Sequence, residues 1–449
     1  MDPLADAVAS LMDRARTDLS ALVALPSVFD PQAGPTSVGD TAAAWVADAF
    51  VAAGIPDART VRTSDGSLAV VGHRPGPPGT PTVLLYSHYD VQPSLGDDAW
   101  TSSPWTLTER DGRWYGRGTA DCKGNVVMHL TALRALAATG GLPCGVKIVV
   151  EGSEEFGGAG LQRLVPDQPG LLEADAILVA DAGNLAVGQP VLTTSLRGMA
   201  VVEVRLHALE GAVHSGSFGG AAPDPLAGLI AMLASLRDAA GDTTIDDLPA
   251  DQRWDGDPLD PERFRADARV LDGVQLIGSG SVADQVWARP AVTVTGIDVP
   301  SVKGAVNAVQ ASAAARITLR LPPTTDPLVA QAALVEHLRR RVPWGLRAEL
   351  SALDTGEGFR TATDGPAFAA LRAALGHDGT PVTLQGEGGA IPLCAVLRDQ
   401  YPDAEILLFG IEEPLSRIHA LDESVDPREI ERTALAQARF LRDYAERGR

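Results

Sequence analysis

Three short apolar, β-prone runs in the first half of the chain stop abruptly at histidine or acid, and this pattern restricts the fold more than any other. Val83-Leu84-Leu85-Tyr86 leads into Ser87-His88-Tyr89-Asp90, Gly145 to Val150 into Glu151-Gly152-Ser153-Glu154-Glu155, and Ala176 to Ala180 into Asp181. Uninterrupted apolar runs of this length, bounded by polar residues, read as buried strands. Helical patterns alternate with them to about residue 195, so the expectation is an α/β unit. Ligands in open sheets of that kind collect at the carboxyl ends of the strands, which is where these polar residues fall.

Each polar site has two readings. Residues two apart on an extended segment point the same way, so the His88 ring and the Asp90 carboxylate can lie side by side. That suits a metal-ligand histidine backed by a carboxylate, and it equally suits a hydrogen-bonded turn. Asp121, between Gly118 and Gly124 at a helix entrance, is either an N-cap or a carboxylate held for chemistry. Glu154 and Glu155 are harder to explain structurally. Adjacent carboxylates at the end of an apolar strand repel one another and lose hydration unless cations or protons compensate.

Composition bounds the rest. At 449 residues the chain exceeds the size at which one core keeps growing, so two domains are expected. A formal net charge of -21 argues against nucleic acid or an anionic membrane as partner. Cys122, Cys144 and Cys394 are few and scattered, which implies no disulfide framework and a reducing, cytoplasmic setting. The start Met1-Asp2-Pro3-Leu4 lacks the pattern of a signal peptide, and no apolar run approaches a membrane span.

Along the chain, helices are expected over Leu4 to Ala24, Gly39 to Ala53 and Asn125 to Ala138, with a hairpin at Asp65-Gly66. After Arg197-Gly198 the pattern changes. Strands at Met199 to His207, Ala291 to Ile297, Ala313 to Leu321 and Leu346 to Ala352, with helices at Asp224 to Ala239 and Pro327 to Arg341, follow the β-α-β-β-α-β order of a ferredoxin-like unit. The acidic loop from Gly241 to about Ser281 is long for such a unit. First-domain character then returns, with a strand at Glu405 to Phe409 and a last helix entered at Asp426-Pro427. The boundaries so read are 1–195 and 359–449 for one domain and 196–358 for an inserted one.

The series Ser87-His88-Tyr89-Asp90, Gly116-Arg117-Gly118-Thr119-Ala120-Asp121-Cys122-Lys123-Gly124, Glu151-Gly152-Ser153-Glu154-Glu155 and the late His419 resembles the two-metal peptidase family of carnosinases, carboxypeptidase G, aminoacylases and succinyl-diaminopimelate desuccinylase. Within it the chain is most similar to carnosinase-type dipeptidases, through Ser195-Leu196-Arg197-Gly198, His214-Ser215-Gly216-Ser217-Phe218-Gly219-Gly220 and Glu387-Gly388-Gly389-Ala390-Ile391-Pro392.

The resemblance implies a mixed α/β catalytic domain carrying a ferredoxin-like lid and dimerisation domain, and a homodimer. It implies that Asp121 bridges two divalent ions, with His88 and Asp181 completing one site and Glu155 and His419 the other. Two histidines and three carboxylates suit zinc, and manganese or cobalt can bind the same set. Glu154 would be the general base acting on a metal-bridging water, and Asp90 would orient His88. His214 in such dimers reaches from the lid domain of the partner subunit to the substrate carbonyl. Arg320 resembles the arginine that receives the substrate's carboxylate, though its spacing equally fits an exposed strand arginine. Asn307, Glu387 and Gly388 fall at positions of substrate contact.

His207 reads as structural, and His73, His129, His337 and His377 have no neighbours that suggest chemistry. The family usually has an arginine before the Glu-Gly-Gly run, a serine after it and an acid after the bridging aspartate; here these are Gly386, Ala390 and Cys122. The implied function is hydrolysis of dipeptides or short peptides. N-acyl-amino-acid deacylation or carboxypeptidase action on the same scaffold, or a non-catalytic binding role, are the alternatives.

Overall fold

The computed structural model describes residues 2–30, 32, 37–389 and 391–447. The chain divides into two compact units, one of Met1–Thr194, Thr361–Gln385 and Ile391–Arg449, the other of Ser195–Arg360 and Gly386–Ala390.

The first unit is built on a mixed sheet whose neighbouring strands are Arg59–Arg62, Leu68–Arg74, Gly145–Glu151, Thr82–His88, Ala176–Ala180, Glu405–Phe409 and Val191–Leu196. Its centre is parallel: Thr82–His88 pairs with Gly145–Glu151 on one side and Ala176–Ala180 on the other, and Glu405–Phe409 pairs in parallel with Ala176–Ala180. These strands carry Val, Ile and Leu at successive positions because both faces are covered. One core, from Leu4 and Val8 through Leu85, Leu133, Ile148 and Leu178 to Phe440, is formed by them and by the helices Pro3–Ser10, Met12–Val23, Ser37–Ala52, Lys123–Thr139, Pro366–Leu375 and Pro427–Arg447. The parallel register brings His88 level with Glu151, so the four central strands deliver their polar ends to one edge of the sheet.

Local expectations fared unevenly. The single helix read over Leu4 to Ala24 is two, Pro3–Ser10 and Met12–Val23, interrupted at Leu11. The final helix is entered as read: the Asp426 carboxylate accepts the Arg428 N–H, and Pro427 occupies the first turn. The cysteines are buried and unbridged. No described helix is long and apolar enough to cross a membrane.

The second unit has an antiparallel sheet in the order Ala291–Asp298, Ser312–Leu321, Gly198–His207, Arg347–Gly356. Numbered along the chain this is 2-3-1-4, the strand order of a ferredoxin-like sandwich. Alternation on the central strands sends Ala200, Val202, Val204, Leu206, Ile317 and Leu319 against Leu229, Met232, Leu334 and Leu338 of the helices Pro225–Ala234 and Pro327–Arg340. Both helices are capped by an aspartate, Asp224 and Asp326, each followed by proline. The first is shorter than read, because the chain turns away after Ser235 into a loop containing a further helix, Pro261–Asp267.

Candidate metal centre

His88 is completely buried at the end of its strand. Its Nδ1 donates to the backbone carbonyl of Asp90 at 3.1 Å, with the Asp90 carboxylate slightly farther at 3.4 Å. That bond assigns the ring proton to Nδ1 and turns the Nε2 lone pair outward. Nε2 lies 3.0 Å from Asp121 Oδ1 and 3.2 Å from Asp181 Oδ1, yet makes no hydrogen bond. A buried lone pair facing two carboxylates is an arrangement of acceptors only, and a cation between them is what such a donor set fits.

The other oxygen of Asp121 faces a second histidine. His419 Nε2 is 2.9 Å from Asp121 Oδ2 and 3.1 Å from Glu155 Oε2. The loop that carries it turns through left-handed backbone at Arg417, His419 and Asp422, a conformation tolerated at few residue types other than glycine. Asp121 thus offers one oxygen to each of two sets, His88 with Asp181 and His419 with Glu155. Burial opposes its ionisation, but the flanking His419 and His88 rings outweigh that and hold its carboxyl below the usual range. The hydrogen bonds that the His419 ring donates to Asp121 and Glu155 raise it to about 10. In each case positive charge is drawn to the carboxylates, as a cation would be.

Glu154 and Glu155 sit on one turn and face differently. Glu155 is oriented by Gln92, whose backbone N–H and side-chain amide donate to its two oxygens at 3.1 and 2.8 Å. Glu154 approaches His88 Nε2 only to 4.0 Å. Burial, reinforced by the charge of Asp181, pushes its carboxyl well above the ordinary value. The Asp90 carboxylate accepts the N–H groups of both, at 3.1 and 3.0 Å. Its main hydrogen bonds therefore fix the Glu154–Glu155 turn, and the tautomer of His88 is set by the neighbouring carbonyl.

The N-cap reading of Asp121 fails. The helix cap is Cys122, which makes no side-chain capping bond. The loop before it is held instead by Glu423, whose oxygens accept the N–H groups of Gly118, Ala120 and Asp121 at 2.9 to 3.1 Å and pair with Arg117 at 2.8 Å. Gly118 has φ +85°, and a Cβ there would meet Val91 Cγ1 at 2.7 Å. Cys122 lies within reach of His88 and Asp181. Its S–H donates to the Ala180 carbonyl at 3.1 Å and burial pushes the thiol well up, so it is a neutral neighbour. Gln92, Arg117 and Glu423 were given no role from the sequence. Their only signal there was proximity to the His88, Asp121 and His419 motifs.

The remaining predicted residues belong to the second unit. His214 is exposed, its Nδ1 accepting the Gly216 N–H at 3.1 Å, and Asn307 is its neighbour, with its carbonyl accepting the Ser215 N–H at 2.9 Å. Arg320 lies beside Arg197, a buried guanidinium that donates to the Arg289 carbonyl and that burial, with the charge of Arg320, lowers to about 10. Arg197 also donates its backbone N–H to the Glu387 carbonyl at 3.2 Å, next to Gly388. A Cβ on Gly386 would meet Trp287 at 2.7 Å and Ser195 Oγ at 2.9 Å, which accounts for glycine where the resemblance expects arginine. Ala390 lies outside the described residues. Of the other histidines, His207 faces Glu349 at 3.3 Å, and His129 is buried between Gln437 and the Tyr86 carbonyl.

Residues 84–443 match the model of the peptidase family M20/M25/M40. The chain is 44% identical over 439 residues to a cysteinylglycine-S-conjugate dipeptidase of Corynebacterium striatum, covering 96% of each. It is 28% identical over 365 residues to the β-Ala-His dipeptidase of Rattus norvegicus, covering 77% of this chain and 73% of that one. The solved structure of the dipeptidase Dug1p from Saccharomyces cerevisiae has the same fold, with a TM-score of 0.81, 22% identity and coverage of 99% and 98%. On the match of 84–443, which contains all five candidate ligands, this chain belongs to the peptidase family M20/M25/M40.

Proposed function

We propose that this metal-dependent peptidase is a dipeptidase that hydrolyses the amide bond of dipeptides bearing a free carboxylate. Cysteinylglycine and its S-conjugates are the substrate class to try first, a choice supported by the 44% identity to the enzyme named for them. The observation that carries the reading is Asp121 with one oxygen toward His88 and Asp181 and the other toward His419 and Glu155. These five residues would hold two divalent ions, zinc in first place, with manganese or cobalt compatible with the same donors. Bound there, the ions would polarise the scissile carbonyl and make water acidic enough to supply the nucleophile near neutral pH.

Glu154 is the general base in this reading. It takes a proton from the attacking water and hands it to the leaving amine, a task for which a raised carboxyl pKa is favourable. Asp90 positions it through the two N–H bonds at the turn. On the second unit, His214 and Asn307 face the substrate backbone from a partner subunit. Arg320, backed by Arg197, receives the carboxylate, and Glu387 with Gly388 lines the substrate. Neither Arg197 nor Arg320 pairs with a carboxylate among the described residues, which supports an anion as their counterpart. A homodimer through the second unit is supported by the edge strand Ala291–Asp298, which exposes Val294 and Ile297. The cytoplasm is the proposed location.

A hydrolysis panel of cysteinylglycine, its S-conjugates and β-Ala-His against N-acyl amino acids, run on metal-loaded protein, tests the assignment. Cleavage of the dipeptides is expected. Turnover of the acylated compounds alone would replace dipeptidase with deacylase, and no turnover of either would favour a binding role.

A further inference from the structure

The turn after the strand Glu405–Phe409 brings a sixth carboxylate to the centre. Asp181 donates its backbone N–H to the Phe409 carbonyl at 3.0 Å, and Asn184 donates its own to the Glu412 carbonyl at 2.7 Å. Gly183 and Glu412 form a parallel bridge. The Asn184 side chain donates to the Gly410 carbonyl at 3.0 Å. Gly410 makes this approach possible, because a Cβ there would lie 2.3 Å from the Ala182 carbonyl oxygen. The backbone of Glu412 is therefore stapled beside that of Asp181.

Its side chain is buried, and an oxygen of Glu412, one of Asp121 and one of Asp181 lie within 4.8 Å of one another. The adjacent Glu413 is committed elsewhere, to Arg113 at 2.5 Å and to the turn at Ser416. Three carboxylates at this spacing, those of Asp121 and Glu412 buried and that of Asp181 half-buried, repel one another, and a cation placed among them would offset that repulsion. Independently of them, the orphaned Nε2 of His88 is aimed at two of the three.

We infer that Glu412 is a fourth ligand of the ion held by His88, Asp121 and Asp181. This rests on the two-ion reading above and adds to it an asymmetry between the two positions. The His88 position has one imidazole and carboxylates from three residues, whereas the His419 position has one imidazole and carboxylates from two. Oxygen-rich sets favour hard ions such as manganese relative to zinc. Glu412 thus makes the His88 position the one that retains manganese.

Binding of Mn2+ and Zn2+ to metal-stripped wild type and E412Q, measured by elemental analysis and by competition against a graded chelator, tests this without reference to turnover. The wild type is expected to bind two ions per chain. In E412Q one of them should weaken by about 10- to 100-fold, more for Mn2+ than for Zn2+, with the other nearly unchanged. E412D, which keeps the charge but shortens the side chain, should weaken the same ion less, and it serves if E412Q does not fold. Two ions on the wild type with unchanged affinities and unchanged Mn2+/Zn2+ preference in the folded variant would overturn the role of Glu412 alone. Fewer than two ions on the wild type would overturn the two-ion reading, and this proposal with it.

Discussion

At the scale of single residues, the paired acids on one turn differ in what holds them. Gln92 draws Glu155 toward His419, and Glu154 keeps only the distant approach to His88. Replacing Glu154 by glutamine should lower kcat by about 10²- to 10⁴-fold while leaving metal content intact; loss of an ion would reassign it as a ligand. His214→Ala should reduce kcat with two ions still bound, checked by steady-state kinetics and elemental analysis on one preparation. The five candidate ligands could be picked out from sequence because each follows a strand end or a glycine-bounded loop, or stands in a recognisable motif. Glu412 and Glu423 could not be assigned in that way. Their contacts reach Asp121 and Asp181 across more than half the chain, and a lone glutamate in a loop carries no pattern.

At the scale of elements, the loop before the helix Lys123–Thr139 depends on Glu423. Its ion pair with Arg117 is buried on both sides, and removing one partner of such a pair typically costs about 3 to 5 kcal/mol. Glu423→Ala should therefore lower the urea midpoint of the metal-free protein and, by releasing Asp121, weaken metal binding as well. In the second unit, His337 ties its helix to the end of the helix Pro225–Ala234 and the loop after it as a neutral ring: Nδ1 accepts the Asp246 N–H and Nε2 meets Ser235 Oγ, both at 3.0 Å. Burial, with help from Arg341, lowers its pKa below 6.5. The folded state thus binds fewer protons than the unfolded one between that lowered value and 6.5. Stability from this group is complete above 6.5 and is lost as pH falls through that window. The thermal midpoint of wild type should decline over this range more steeply than that of His337→Gln. Strand and helix order was readable because period and turn chemistry are local. The break at Leu11 was not, since the apolar spacing runs on through it and tertiary packing decides the direction of each half.

At the scale of the whole molecule, the candidate ligands come from both ends of the first unit's sequence, so ions bound there would tie together segments that the second unit separates along the chain. Stripping the ions should abolish hydrolysis and lower the thermal midpoint, and restoring Zn2+ or Mn2+ should recover both, because an ion that binds only the folded state stabilises it by mass action. An unchanged midpoint would mean the ions contribute nothing to folding. The two-unit organisation was expected from length and from the change of pattern after Gly198. The second passage into the second unit at Gly386 was not, because so short an excursion has no composition of its own. A further consequence follows from where the sulfur sits. Mixed-disulfide formation requires an accessible thiolate, and Cys122, Cys144 and Cys394 are all buried, with burial holding each thiol well toward its neutral form. Small thiols and disulfides in the medium would find no accessible partner among these three side chains, so activity should hold as the surrounding redox balance drifts.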